Sequence, residues 1–227
     1  MKKSGRTPPK DTASEQTPAE VVELCERCNK PPKHCICSSL KPLTSRLKVL
    51  VLQHPREKKQ LLNSTFIPAL TMPHCVVRIG LSWPNLAKAW GEPTNPKEWT
   101  ALFIGKRGTK APAGEILTLL TKQGEPRPDR VELLPHMRGV IILDGTWAEA
   151  KTLWWRNSWL SKITRSILTP PGPRMYGDLR RAARQEGVSS AESAAWAAEA
   201  LGGDDRTRIA ILSHFETFLK TFGNYSP

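Results

Sequence analysis

The stretch "VIILDGTWAEAKTLWW", residues 140–155, decides how this 227-residue chain is read. Val140, Ile141, Ile142 and Leu143 form an unbroken apolar run rich in β-branched side chains, the composition of a strand buried on both faces. Asp144 closes the run, and a helical pattern begins at once near Thr146. A strand that feeds directly into a helix is the repeating unit of a parallel α/β sheet. In such sheets ligands bind beyond the carboxyl ends of the strands, so an acid at that position bears on function as well as fold.

Reading outward, residues 47–52 ("LKVLVL"), 76–79, 101–104 and 165–168 are expected to be further strands. Residues 57–64 read as a short helix, and 83–99 and 106–135 as loops with short helices. Ser189 or Ser190, followed by Glu192, starts the helix "SSAESAAWAAEAL", which Gly202 and Gly203 stop. Asp204 or Asp205 opens a last helix with Ile209, Leu212, Phe215, Phe218 and Leu219 at helical spacing. The expected class is α/β, a parallel sheet covered on both faces. Residues 1–20 hold several prolines and almost no large apolar side chain. They cannot bury enough surface to offset ordering and are expected to be a disordered arm.

Lys and Arg number 34 against 21 Asp and Glu, a formal charge of +13. That excess favours polyanionic partners, nucleic acid before membrane. No apolar run approaches the roughly 20 residues of a membrane span, and no hydrophobic signal segment follows the charged start. A cytoplasmic protein without a membrane partner is expected. Eight tryptophans against two tyrosines are mostly core filling by their usual burial, yet beside this charge one or two are candidates for stacking on bases.

The segment "CERCNKPPKHCIC" places Cys25, Cys28, Cys35 and Cys37 within a short span. C-x2-C turns two thiolates toward one point, and C-x-C after a proline-containing loop closes a tetrahedron. In a reducing compartment, four clustered thiols favour zinc over disulfides. A site filled by four ligands has no open position, so the expected Zn2+ is structural; His34 is an alternative ligand. Residues 21–42 are accordingly a cysteine-rich zinc module and 43–227 the main domain.

Asp144 has two readings that are compatible: N-cap of the following helix, or a charged group at a ligand site. His54 and Glu57 stand after another strand end, as a structural histidine and a helix starter or as site residues. "GKRGTK" at 105–110 lacks the order of a P-loop, and neither G-x-G-x-x-G nor G-x-S-x-G occurs.

Taken together, "LDGTWAEAK", "CERCNKPPKHCIC", "LVLQHPRE", "MYGDLRR" and "SSAES" resemble, in order, the motifs of the DTW-domain family. The resemblance runs from Cys25 to the C-terminus. Ser190 and Ser193 stand where the family has Thr and Ala, and 106–135 differs from its usual short acidic loop. The resemblance implies a SPOUT-like fold with a trefoil knot around the cofactor. It also implies transfer of the 3-amino-3-carboxypropyl group of S-adenosylmethionine to N3 of a tRNA uridine, with release of 5′-methylthioadenosine.

On that reading Asp144 either accepts the N3 proton or binds the ammonium of the transferred group. Trp147 walls the sulfonium through a cation–π contact or packs in the core. Thr146 binds the amino-acid part or caps its helix. Ser189, Ser190 and Glu192, with His54 and Glu57, are expected to bind the cofactor, the helix start suiting a carboxylate. Lys151, Arg156, Arg174, Arg180, Arg181 and Arg184 are expected to follow the RNA backbone. Two competing functions are a SPOUT-like RNA methyltransferase and a non-enzymatic, zinc-containing RNA-binding adaptor. The sequence leaves the oligomeric state open.

Overall fold

Alternation along adjacent strands sets the architecture of the computed structural model, which describes residues 23–103, 111–179 and 188–223. In chain order the elements are β1 (Lys48–Gln53), α1 (Phe66–Thr71), β2 (Cys75–Ile79), α2 (Leu86–Trp90), β3 (Trp99–Leu102), β4 (Leu117–Leu120), α3 (Arg130–Leu133), β5 (Gly139–Asp144), α4 (Trp147–Arg156), β6 (Thr164–Leu168), α5 (Ser190–Gly202) and α6 (Asp205–Lys220). The six strands form one sheet in the order β2-β1-β5-β3-β6-β4. All neighbours are parallel except β4, which runs antiparallel to β6 at the edge. The expected disordered arm and Arg180, Arg181 and Arg184 lie outside the described residues.

Strand side chains alternate between faces, and both faces are covered. Val49, Val51, Val140 and Ile142 pack under α1, α5 and α6, against Phe66, Ile67, Ile211, Phe215 and Phe218. Leu50, Leu52 and Ile141 face the other way, against Trp90 of α2, Trp154 of α4, Trp99 and Leu160. Helix α5 presents Ala191, Ala194, Ala195, Ala197 and Ala198, all fully buried, so its backbone sits close to the first layer. On the opposite layer, a Cβ at Gly139 would come within 2.5 Å of the Trp99 ring, which fills the space that glycine leaves.

Two expectations are corrected. Residues 57–64 contain only a 3-10 turn, Glu57–Lys59, and the α-helix comes later as α1. The physical reason lies at Asn63: its Oδ1 accepts the Thr65 backbone N–H at 3.1 Å, a local bond that competes with helix formation. The region 106–135, expected to be loops and short helices, also contains the buried strand β4. Its four-residue run "LTLL" is too short for period to separate strand from helix. Among the described residues no helix is long and apolar enough to cross a membrane.

The cysteine-rich segment packs into the same core, with Cys28, Ile36 and Cys37 buried beside α6 residues. Lys30 buries its stem and donates Nζ–H to Gln60 O at 2.9 Å, with the ammonium 5.8 and 5.7 Å from the Phe66 and Phe218 ring centroids. His34 stacks on Phe222 at 4.0 Å and meets Thr221 Oγ1 through Nδ1 at 2.9 Å.

Candidate functional site

Gln53 and Asp144 are the last residues of β1 and β5 and lie opposite each other in register. By alternation both side chains fall on the layer covered by α5. There Asp144 is 7% exposed and bonded through both oxygens. Its Oδ2 accepts from Gln53 Nε2 and from Asn63 Nδ2, each at 2.8 Å, and its Oδ1 accepts the Ser190 hydroxyl. The donors are themselves held: Gln53 Nε2 also reaches Thr65 Oγ1 at 2.8 Å, and the Thr65 hydroxyl donates to Asn63 Oδ1. A carboxylate offers about four acceptor positions, so three bonds fix its orientation and leave Oδ1 with one more. Burial without these partners would cost several kcal/mol, on the order of the penalty for an unpaired buried charge.

Ser190 comes to Asp144 because α5 starts over the carboxyl edge of β5. Ser189 is the N-cap: its Oγ accepts the Glu192 N–H at 3.0 Å, and Glu192 Oε2 accepts the Ser189 N–H at 2.9 Å. This is a capping box. Glu192 Oε1 also accepts the Met175 N–H at 3.0 Å, and the Ala191 N–H donates to Ser64 Oγ at 3.2 Å. Several first-turn N–H groups of α5 are thus satisfied by the protein itself. Beside Glu192 lies a cavity of about 140 Å3, lined by Pro170, Gly172, Met175, Trp196 and Leu212 among others. Tyr176, from the "MYGDLRR" motif, donates its hydroxyl to Leu62 O at 2.6 Å and packs edge-on against Phe215.

The second helix at this edge, α4, is capped by Thr146 rather than by Asp144, whose side chain is occupied elsewhere. Thr146 Oγ1 accepts the Glu149 N–H at 3.4 Å, and Glu149 Oε2 accepts the Thr146 N–H at 2.8 Å, a second capping box. Glu149 Oε1 lies 3.4 Å from His54 Nδ1, with the Arg56 backbone nitrogen 3.3 Å from the same ring atom. The His54 N–H donates to Asp144 O at 2.9 Å, joining the two strand ends. Burial pushes the Glu149 carboxyl up, but the Thr146 N–H and hydroxyl, with His54 and Arg56, outweigh it and hold the group below its ordinary value. Gly145 makes this approach possible, since a Cβ there would come within 2.8 Å of Glu149 Cβ and 3.4 Å of His54 Cβ.

The expected site residues therefore fall into groups. Asp144, Ser189, Ser190 and Glu192 converge at the end of β5, and Thr146 and His54 sit beside them. Glu57 is 1% exposed within its turn. Trp147 is half-buried at the start of α4, with Lys151 Nζ 5.6 Å from its ring centroid. Lys151 and Arg156 are exposed on α4, and Arg174 is half-buried. The sequence reading missed Gln53, Asn63 and Glu149. It also passed over Arg56, Lys58 and Lys59, exposed cations beside His54. The run "HPREKK" signalled the cations and T-x-x-E signalled Glu149; nothing local marked Gln53 or Asn63.

At the other end of the first core, the Sγ atoms of Cys25, Cys28, Cys35 and Cys37 all lie within 4.8 Å of one another. Cys25 and Cys37 are 3.9 Å apart and Cys28 and Cys35 3.7 Å. A tetrahedral ion with bonds of about 2.3 Å holds its sulfurs roughly 3.8 Å apart, so the donor set and its spacing fit a metal ion. His34 is turned toward Thr221 and Phe222 instead.

Comparison with known proteins places the chain in a family. The chain is similar to tRNA-uridine aminocarboxypropyltransferase 2 of Macaca fascicularis, 28% identical over 149 residues, 62% of this chain and 44% of the macaque protein. The Mus musculus protein of that name is 26% identical over 148 residues, with the same shares, and the Drosophila melanogaster one 26% over 204 residues, 86% of this chain and 73% of its own. The chain thus spans less than half the length of the two mammalian relatives. No solved structure matches it. The model of the DTW domain matches residues 22–223, and these span the cysteine cluster, the β5–α4 junction and the serine-led start of α5. The chain belongs to the DTW-domain family.

Proposed function

We propose that this protein is a tRNA-uridine aminocarboxypropyltransferase of the cytoplasm, acting from S-adenosylmethionine on N3 of a uridine. The observation that carries this reading is the fixed Asp144 carboxylate, tied to Ser190 at the mouth of the sheet. The relatives' names supply the reaction class. The formal charge of +13 suits tRNA as partner.

S-adenosylmethionine supplies an electrophilic carbon next to its sulfonium. Uridine N3 gives up its proton and forms a bond to that carbon, while the carbon–sulfur bond breaks and the sulfur leaves with the pair as neutral 5′-methylthioadenosine. Asp144 serves this step through the acceptor position that its three donors leave on Oδ1. There it takes the N3 proton, or it holds the ammonium of the incoming group in line while the N3 proton passes to water. Gln53, Asn63 and Ser190 position it. Thr146 and Trp147, with His54, Glu57, Ser189 and Glu192, shape the cofactor end of the site. Trp147 would wall the sulfonium through a cation–π contact. Lys151, Arg156, Arg174, Arg180, Arg181 and Arg184 neutralise tRNA phosphates. Cys25, Cys28, Cys35 and Cys37 hold a structural Zn2+, which braces the segment against α6.

The reading includes a SPOUT-type knot around the cofactor, which a crystal structure of the complex would test. The activity test is nucleoside mass spectrometry of tRNA incubated with protein and S-adenosylmethionine. The expected product is 3-(3-amino-3-carboxypropyl)uridine with stoichiometric methylthioadenosine. Release of S-adenosylhomocysteine instead would make the protein a methyltransferase, and no binding of S-adenosylmethionine would leave only an RNA-binding role.

A further inference from the structure

Two adjacent tryptophans of α4 have opposite fates. Trp154 is buried against the sheet, whereas Trp155 is 78% exposed. A helix turn of about 100° per residue accounts for the difference in direction. An exposed apolar side chain standing alone needs no explanation; what singles out Trp155 is its rigid base and the cations beside it on α4.

The exposure is not that of a frayed end. Asn157, buried just beyond α4, donates Nδ2–H to Leu153 O at 2.7 Å and to Leu81 O at 3.0 Å, and its Oδ1 accepts the Trp83 N–H at 2.8 Å. The Ser82 hydroxyl donates to Arg156 O at 3.0 Å. Trp155 therefore stands on a pinned backbone, which fixes where the indole leaves the helix.

Its charged neighbours in the last two turns of α4 are cations. Trp147, Lys151 and Trp155 follow at four-residue intervals and share a side of α4, and Arg156 is exposed next to them. The one acid of α4, Glu149, spends its carboxylate on Thr146 and His54. An aromatic face flanked by cations is the combination that binds single-stranded nucleic acid, stacking for bases and charge for phosphates. Eight residues of helix rise about 12 Å, so Trp155 lies a helix length away from the Asp144 edge. The base it takes is a neighbour of the reacting uridine, not the uridine itself.

We propose that Trp155 is a stacking platform for an unpaired base of the RNA substrate, with Lys151 and Arg156 on the adjoining phosphates. The inference rests on the reading of the substrate as RNA. It is tested with the full chain by fluorescence anisotropy, using a labelled single-stranded oligouridylate and a labelled duplex RNA of equal charge at fixed salt. Trp155→Ala weakens single-strand binding by roughly 5- to 160-fold, the range set by one base–aromatic stack, and leaves duplex binding within about twofold. Trp155→Phe, which keeps a stacking face, restores most of the single-strand affinity. Unchanged single-strand affinity in Trp155→Ala would overturn the proposal, as would an equal loss on both probes. So would sedimentation showing that Trp155 instead joins two copies of the chain, with RNA affinity unaltered. Nucleoside analysis of tRNA treated with the unaltered protein reads the activity separately. A Trp155-dependent single-strand affinity without modified uridine would sink the enzymatic reading alone.

Discussion

Asp144→Asn separates a structural carboxylate from a chemical one, because the amide keeps the shape and removes the charge. Its oxygen can still accept from Gln53 and Asn63, provided that its NH2 turns to Ser190, whose hydroxyl can accept instead of donate. All three bonds survive, but each loses its charge assistance. Bonds to charged groups contribute about 1.5–3 kcal/mol against about 0.5–1.5 for neutral ones, so the loss is on the order of 1 kcal/mol per bond and roughly 3 kcal/mol in all. For a chain of this size, that lowers the melting temperature by several degrees, at roughly 2–4 °C per kcal/mol.

The chemical effect works on a different scale. A positioned proton acceptor contributes about 10²–10⁴-fold in rate, and loss of an ammonium anchor would move the affinity for S-adenosylmethionine as well. The assay is therefore paired: unfolding by heat and urea, and single-turnover formation of the modified nucleoside below the melting range, with calorimetric titration of S-adenosylmethionine. The expected variant is folded at 25 °C, melts roughly 6–12 °C lower, and is at least about 100-fold slower. A variant with the predicted loss of stability but a normal rate and normal binding would show that the carboxylate only braces α5 against the sheet, and both proposed roles would fall.

Three further outcomes follow from the geometry. Cys28→Ser, or exhaustive chelation, should remove about one zinc per chain and lower thermal stability, since Cys28 and Cys37 are buried in the core beside α6; metal analysis with calorimetry checks both. Glu149 has its carboxyl held below the ordinary value of 4.5, so its contribution to stability is complete above that value and lost as pH falls through the lower folded value; Glu149→Gln should flatten that part of the pH–stability curve in acid unfolding experiments. Gly145→Ala should cost on the order of 1–3 kcal/mol by urea denaturation, because the new methyl meets Glu149 Cβ at 2.8 Å, and a stability equal to wild type would mean that the His54–Glu149 approach is slack.

What the sequence made legible were features held by local rules. The β5–α4 junction, the serine-led start of α5 and the cysteine spacing each carry their signal within a few residues. Long-range polar assembly carried none. Gln53 and Asn63 reach Asp144 from 91 and 81 positions away, and only the parallel register of β1 with β5 brings the first of them opposite. The displaced helix has the same origin, since Asn63 and Thr65 are engaged in that polar cluster rather than in helical bonds. Strand β4 was hidden by its brevity. The cap of α4 was readable: T-x-x-E at Thr146 repeats the S-x-x-E of Ser189, and it assigns capping to the threonine, which frees the aspartate.

That freeing has a consequence for how the site can vary. Three side chains from three parts of the chain aim donors at one anion, and replacing any one with an aliphatic group strands the others' geometry without abolishing their need. Neutral drift at Gln53, Asn63 and Ser190 should then be correlated, each tolerating a substitute only when a second position compensates. A pairwise mutational library scored for folding and turnover would register this as epistasis centred on a residue that was itself never changed.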